Sequence, residues 1–109
     1  MATTVQALPV ELTRHLDDIR ALCERYRIQT LYVFGSAVHG TFDPESSDLD
    51  FVVDPGEYGH DVASRLFGFS DALERLLGRD LDLITSRSTG DPRFHREVDA
   101  TKVAIYAAA

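Results

Sequence analysis

Tyr32-Val33-Phe34-Gly35-Ser36 ends one apolar, β-type run, and Ser47-Asp48-Leu49-Asp50-Phe51-Val52-Val53 opens a second one after Gly40. The glycine of the first stretch interrupts the run at a point where a short helix can begin. In the second stretch, alternate side chains share one face of a strand and lie about 6.5–7 Å apart along it. The two stretches therefore predict two strands joined by a short helix and a loop, with Asp48 and Asp50 on one face.

The residue types in these stretches suit a phosphorylated ligand and a divalent cation. Free backbone amides at a helix start favour phosphate oxygens, and Gly35 before Ser36 lets such a ligand approach closely. Asp48 and Asp50 can converge on a hard cation, which prefers oxygen ligands and is usually completed by substrate phosphates. The pattern predicts a site for a nucleoside triphosphate with magnesium. A solvated acidic pair is the alternative, because Asp80-Leu81-Asp82 is a second such pair in the chain.

Composition predicts one folded domain over residues 1–109, since 44% of the residues are hydrophobic and 27% are charged. The net charge of −7 argues against direct binding to nucleic acid, which depends on lysine and arginine. We find no apolar run of membrane-spanning length and no signal-peptide pattern, so we expect no membrane association and a cytoplasmic location. The single cysteine, Cys23, falls on a predicted apolar helix stripe and is expected in the core.

Hydrophobic periodicity and turn residues predict a small mixed sheet flanked by helices, an α/β (α+β) fold. A long helix ends at Gly78, a residue type that commonly caps helices, and Asp91-Pro92 resembles a cap and first turn. The predicted elements are a helix over 9–26, a strand over 30–34, a short helix over 36–38, a strand over 48–54, a helix from 59 or 60 to 77, a strand over 80–85, a helix over 91–99 and a possible edge strand over 103–106.

The third predicted strand adds a carboxylate to the candidate site. Asp82 lies between Leu81 and Leu83, where a buried carboxylate needs a partner or a metal ion. If this strand lies beside the second, Asp82 completes a three-carboxylate metal site with Asp48 and Asp50. The alternative is that Asp82 belongs to a sheet face that meets water.

Three matches make the chain resemble the minimal nucleotidyltransferase (MNT) family, relatives of DNA polymerase β and of the aminoglycoside nucleotidyltransferases. The matching residues are Gly35-Ser36 with Gly40, then Ser47-Asp48-Leu49-Asp50, then Leu81-Asp82-Leu83-Ile84 after Leu76-Leu77-Gly78-Arg79. The ending, Phe94-His95-Arg96-Glu97-Val98 followed by Val103-Ala104-Ile105-Tyr106, is similar to the family's C-terminal pattern. The resemblance covers nearly the whole chain and implies the polymerase β-like nucleotidyltransferase fold.

The resemblance also implies an activity and its site residues. Asp48 and Asp50 are expected to hold two magnesium ions, and Asp82 to bind the catalytic ion while helping to deprotonate an acceptor hydroxyl. AMP passes from ATP to that hydroxyl. Small members of the family often act as antitoxins that attach AMP to a tyrosine of a helical, HEPN-type ribonuclease toxin. We therefore expect ATP, magnesium and a HEPN-type toxin in a hetero-oligomer as the ligands and partner of this chain.

The phosphate-binding turn departs from the family pattern. The resemblance assigns the outer phosphates to Gly35 and Ser36, with Gly40 in the same motif. Family members commonly carry arginines just after Gly-Ser, whereas this chain has Ala37-Val38-His39. His39 is predicted either to replace the phosphate contact in part or to cap a turn, and the turn is favoured because a neutral imidazole adds little charge.

Two rival functions remain open at the level of sequence. One is an MNT-fold binding module that neutralises a partner by contact, with weak or absent catalysis. The other is a nucleotidyltransferase with a small-molecule acceptor such as an aminoglycoside, a reading that is weakened because 109 residues leave no second domain to enclose a small acceptor.

Overall fold

The computed structural model describes residues 7–40, 42–45, 48–87 and 91–108. Its elements alternate between helices and strands along the chain, as the periodicity predicts. In order they are α1 (Val10–Thr13), α2 (Leu16–Arg25), β1 (Thr30–Phe34), α3 (Ser36–His39), β2 (Leu49–Asp54), α4 (Val62–Leu77), β3 (Leu81–Thr85), α5 (Pro92–Thr101) and β4 (Val103–Ala107).

The four strands form one mixed sheet in the order β3-β2-β1-β4. Strand β1 is antiparallel to both β2 and β4, whereas β2 and β3 are parallel. A parallel pair needs a crossover connection, and α4 supplies it between β2 and β3. The predicted adjacency of the second and third strands is confirmed, as is the edge position of the last strand. The mixed α+β architecture is the predicted one.

The two faces of the sheet differ in what covers them. One face carries a core of buried side chains that also includes residues of α2 and α4; its buried strand members are Leu31, Val33, Leu49, Phe51, Val53, Val103 and Ile105. Cys23 is buried in this core, as predicted, and burial raises the pKa of its thiol to about 12. The other face has a smaller cluster in which Phe34 and Val52 pack against Val98 of α5. Because side chains alternate along a strand, Asp50 lies on this second, more open face.

The long first helix predicted over 9–26 is wrong in one respect. It is divided into α1 and α2, with a break at Arg14 and His15. Leu12 and Ile19, one on each side of the break, are both fully buried in the same core. Packing of both segments against one sheet face determines the break, and the uninterrupted apolar spacing gives no sign of it. The part of the chain that the structure describes contains no helix that could span a membrane.

Arg65 is a buried charge that the apolar stripe of α4 does not predict. Its Nη1 donates hydrogen bonds to the carbonyl oxygens of Tyr26, Arg27 and Pro55 at 3.2, 3.1 and 3.0 Å. Its Nη2 donates to the carbonyl oxygen of Glu57 at 2.7 Å. One guanidinium thus joins the α2–β1 turn to the segment after β2, at the end of the sheet away from Asp50.

Replacing Arg65 by Met should lower the free energy of unfolding by about 3 kcal/mol, because several buried carbonyl groups lose a charged donor. Urea denaturation measures the change. Arg75→Met in the same helix is the matched control, since the Arg75 side chain is 80% exposed and pairs only with Asp71 at the surface. We expect that control to change stability by less than about 1 kcal/mol. Equal losses in the two variants would contradict the role assigned to Arg65.

Candidate active site

Asp50 and Asp82 lie side by side at one end of the parallel pair. They are direct partners in the register between β2 and β3. Their carboxyl groups share a hydrogen bond, and the pKa of Asp50 is raised to about 6. The main cause is burial, followed by the hydrogen bond with Asp82 and by the negative charges of Asp82 and Asp48. A half-buried carboxyl group is therefore held among like charges, an arrangement that favours binding of a cation.

Gly35 lies directly against Asp50. It precedes α3 with φ 75° and ψ −144°, a conformation close to one that glycine alone adopts readily. A Cβ atom at this position would lie 2.5 Å from Oδ2 of Asp50, so any side chain here would force the carboxylate or the backbone to shift. The chain therefore needs glycine here for two independent reasons, the backbone conformation and the approach of the carboxylate.

Asp48 lies at the edge of the site formed by the Asp50 and Asp82 carboxylates. It immediately precedes β2 and is exposed, and its charge reaches Asp50 strongly enough to contribute to the raised pKa. Within the described residues, no three His, Cys, Asp or Glu side chains converge closely enough to form a metal site. Like charges repel unless a cation lies between them, so the open arrangement is what electrostatics alone produces. The structure brings Asp50 and Asp82 together, and the three-carboxylate metal site remains a prediction.

Asp82 is exposed, so the structure favours the predicted alternative, a sheet face that meets water, over a buried carboxylate. Its neighbours Leu81 and Leu83 turn to the covered face and pack against the main core, so Asp82 itself points to the open face. An apolar run thus places a carboxylate on the surface here, because only one face of edge strand β3 is covered. Exposure leaves Asp82 accessible to a molecule approaching from outside.

The other predicted nucleotide-binding residues surround α3. Ser36 is its first residue and is half-buried; His39 is its last residue and is exposed. Gly40 ends the helix in the left-handed conformation with φ 77°, and an added Cβ would meet nothing within 4 Å. The structure thus gives Gly40 a role in ending the helix, while its contact with a nucleotide stays a prediction. Ser47, part of the second motif, lies outside the described residues.

The sequence did not reveal that α5 borders the site. Phe94 of α5 packs edge-to-face on Phe34, with ring centroids 5.9 Å apart. A cavity of about 150 Å³ separates α5 from α3 and is lined by Phe34, Gly35, His39, Phe94, Glu97, Val98 and Thr101. The cap at Asp91, whose carboxylate accepts a hydrogen bond from the Arg93 amide, confirms the predicted start of this helix. Which sheet face the helix covers depends on long-range packing and had no signal in the motif.

Comparison with known proteins agrees with this geometry. A family model described as "Polymerase beta, Nucleotidyltransferase" matches residues 17–109. The chain belongs to this nucleotidyltransferase family. Among curated proteins, a candidate protein adenylyltransferase of Methanocaldococcus jannaschii is 29% identical over 80 residues, which are 73% of this chain and 79% of the relative.

Solved structures place this nucleotidyltransferase among the small members of the family. A candidate minimal nucleotidyltransferase is 31% identical with a TM-score of 0.69, and the match covers 84% of this chain and 89% of the other. The predicted resemblance is confirmed. A toxin–antitoxin structure with AMP-PNP matches at 23% identity and a TM-score of 0.66, covering 85% and 73% of the two chains. A tri-AMPylated Shewanella oneidensis HEPN toxin in complex with an MNT antitoxin matches at 20% identity and a TM-score of 0.60, covering 87% and 71%. The last two matches show the shared fold.

The raised pKa of Asp50 predicts how the free energy of unfolding of the nucleotidyltransferase depends on pH when a chelator has removed divalent cations. The folded state holds a proton on Asp50 up to about pH 6, whereas the unfolded state releases it near pH 4. Stability contributed by this group therefore falls as pH rises through that window, and the loss is complete above it. At pH 8 in EDTA we expect Asp50→Asn to raise the free energy of unfolding by about 1 to 2 kcal/mol, a range that allows for partial exposure.

Urea denaturation of wild type and Asp50→Asn at pH 4 and pH 8 tests this expectation. The gain should largely disappear at pH 4, where Asp50 is protonated in the folded wild type and about half protonated in the unfolded state. Asp80→Asn is the control, because Asp80 is an exposed aspartate that immediately precedes β3, the strand that pairs with β2. A stability gain of the same size at both pH values would contradict the assigned cause.

Proposed function

We propose that this chain is a magnesium-dependent adenylyltransferase that transfers AMP from ATP to a tyrosine hydroxyl of a HEPN-type toxin, acting as its antitoxin. The observation that carries the proposal is the pairing of Asp50 with Asp82 directly beside Gly35. Oxygen ligands in this arrangement suit magnesium, and a backbone without a side chain leaves room for phosphate beside them.

The comparisons support the acceptor and donor in this proposal. The curated relative from Methanocaldococcus jannaschii carries the name of a protein adenylyltransferase. One solved toxin–antitoxin structure contains the ATP analogue AMP-PNP, and another contains an AMPylated HEPN toxin. We infer the cytoplasm as the place of the reaction, because the proposed donor is ATP. The net charge of −7 supports a protein partner over nucleic acid.

The residues present fit magnesium because all the charged donors at the site are carboxylates. Asp48, Asp50 and Asp82 would hold two ions. When bound, the ions neutralise the phosphates and stabilise the attacking and leaving oxygens of an in-line displacement. Gly35 and Ser36 face the outer phosphates, and exposed His39 lies at the far end of the same short helix.

Besides binding metal, Asp82 has a second role in the proposed reaction, as acceptor of the hydroxyl proton, and its exposed position suits that role. An acceptor hydroxyl arriving from outside meets Asp82 before it meets Asp50, which is half-buried behind Gly35. Asp82 accepts the hydroxyl proton as the acceptor oxygen bonds to the α-phosphorus. The bond between that phosphorus and the bridging oxygen to the β-phosphate breaks, and pyrophosphate leaves.

A labelling experiment tests the proposal. The chain is incubated with ATP labelled at the α-phosphate, magnesium and the HEPN-type protein encoded beside it, and labelled protein is detected after gel separation. We expect label on the partner with wild type and none with Asp48→Asn/Asp50→Asn or with EDTA. An unlabelled partner that wild type and the double variant neutralise equally well would sink the enzyme proposal in favour of a binding module.

A further inference from the structure

Arg79 contacts the loop that leads into the site. It follows Gly78, which ends α4, and it precedes the β3 strand that carries Asp82. Its Nη2 donates a hydrogen bond to the carbonyl oxygen of Pro44, and its guanidinium carbon lies 5.0 Å from the centre of the Phe42 ring. One side chain therefore joins the start of β3 to the segment 42–45.

The guanidinium uses one face to contact the Phe42 ring and its edge to donate to the Pro44 carbonyl oxygen. Phe42 beneath it is partly buried and packs against the main core, so the ring has a fixed position. The loop is also ordered locally, because the Asp43 carboxylate accepts a hydrogen bond from the Glu45 amide at 2.9 Å. Arginine suits such a place better than lysine, because its planar group can stack on a ring and donate along its edge at once.

A contribution to stability does not by itself explain the contacts that Arg79 makes. Among the described residues, its Nη1 is buried without a hydrogen-bond partner. A buried donor without a partner is unfavourable, which offsets part of what the contact to Pro44 contributes. The arrangement is better explained by the position it gives to the loop.

That loop leads directly to a predicted metal ligand. Pro44 lies four residues before Asp48, and Asp48 is exposed just before β2, where strand pairing does not hold it. Asp82, the third predicted ligand, lies three residues after Arg79. Arg79 thus links the segment 42–45, which precedes Asp48 in the chain, to the start of the strand that carries Asp82.

We propose that Arg79 is a positioning residue, which holds the 42–45 segment so that Asp48 can join Asp50 and Asp82 around a divalent cation. The inference rests on the proposed function for its metal site. It predicts that Arg79 changes affinity for the cation far more than it changes the rate once the cation is bound.

Titration with Mn²⁺, followed by its electron paramagnetic resonance signal without nucleotide or partner, tests this role. We expect Arg79→Ala to raise the half-saturating Mn²⁺ concentration about tenfold, the change that a small displacement of one ligand produces. Arg79→Lys should raise it about threefold, because lysine keeps the charge and one donor but cannot stack as a planar group. Arg75→Ala, on the exposed face of α4, is the matched control and should bind Mn²⁺ as the wild type does.

Transfer activity supplies the second readout. The apparent Mg²⁺ requirement of Arg79→Ala should rise in parallel with the Mn²⁺ titration, while the rate at saturating Mg²⁺ stays within about threefold of wild type. Unchanged Mn²⁺ affinity in Arg79→Ala, or in Arg79→Lys if the alanine variant does not fold, would overturn the inference. If Mn²⁺ binding weakens as expected but wild type labels no partner, the positioning role stands and the proposed reaction fails.

Discussion

Asp82→Asn should lower the rate of AMP transfer by about 1,000-fold or more, because the change removes a metal ligand and the acceptor of the hydroxyl proton together. The fold should be retained. Asp82 is exposed and its closest acidic partner is Asp50, so a neutral amide at this position relieves a repulsion. Single-turnover transfer with labelled ATP gives the rate, and urea denaturation confirms that the variant is folded.

Asp80→Asn is the matched control for that measurement. Asp80 belongs to the same Asp-x-Asp pair and is also exposed, but it precedes β3 and lies outside the register that pairs Asp82 with Asp50. Its replacement should leave the rate within about twofold of wild type, as is usual for surface changes away from a site. Undiminished transfer in Asp82→Asn would remove this residue from the reaction, and equal losses in both variants would point to a general effect of surface charge.

Gly35→Ala should lower the transfer rate by about 100-fold, the loss expected when a reacting group is displaced by about 1 Å. The added methyl group would lie 2.5 Å from Oδ2 of Asp50, so either the carboxylate or the start of α3 must move. The conformation at φ 75° and ψ −144° adds strain of about 1 to 3 kcal/mol, which should appear as lower stability. Transfer assays and thermal unfolding measure the two effects separately.

Gly40→Ala separates the effect of backbone strain from the effect of displacing the Asp50 carboxylate. Gly40 also has a positive φ, 77°, but an added Cβ there would contact nothing within 4 Å. The control variant should therefore lose about 1 kcal/mol of stability and lose less of its transfer rate than Gly35→Ala does. If Gly35→Ala were no less active than Gly40→Ala, contact between Gly35 and Asp50 could not be what positions the carboxylate.

Much of the site was predictable because it depends on local rules. Alternation along β2 places Asp50 and Val52 on one face and Phe51 on the other, and the structure confirms that division. Asp82 was expected to complete the carboxylate group only if the third strand lay beside the second, and the structure shows that these two strands pair in parallel, with the long helix as their crossover. Gly35 was identified as a close-approach residue, although the atom that approaches it, Oδ2 of Asp50, was not.

Features that join distant segments could not be predicted in the same way. Arg65 occupies a position on the buried stripe of α4, and its four carbonyl partners come from two turns that the sequence does not relate to it. Arg79, directly after Gly78, looks like an ordinary residue of the turn that follows a helix until the structure shows Phe42 and Pro44 against it. Side chains of this length reach whatever the fold places nearby, so their partners depend on tertiary structure.

The sequence by itself determined the order of the elements, the faces of the strands and the choice of Asp48, Asp50 and Asp82 as candidate carboxylates, because backbone sterics and side-chain alternation act within a few residues. Only the tertiary structure decided that the first helix breaks at Arg14 and that α5 covers the open face beside Gly35. It also decided that Asp82 is exposed while Asp50 is half-buried. These outcomes depend on which surfaces pack together, and that packing depends on contacts between residues far apart in the chain.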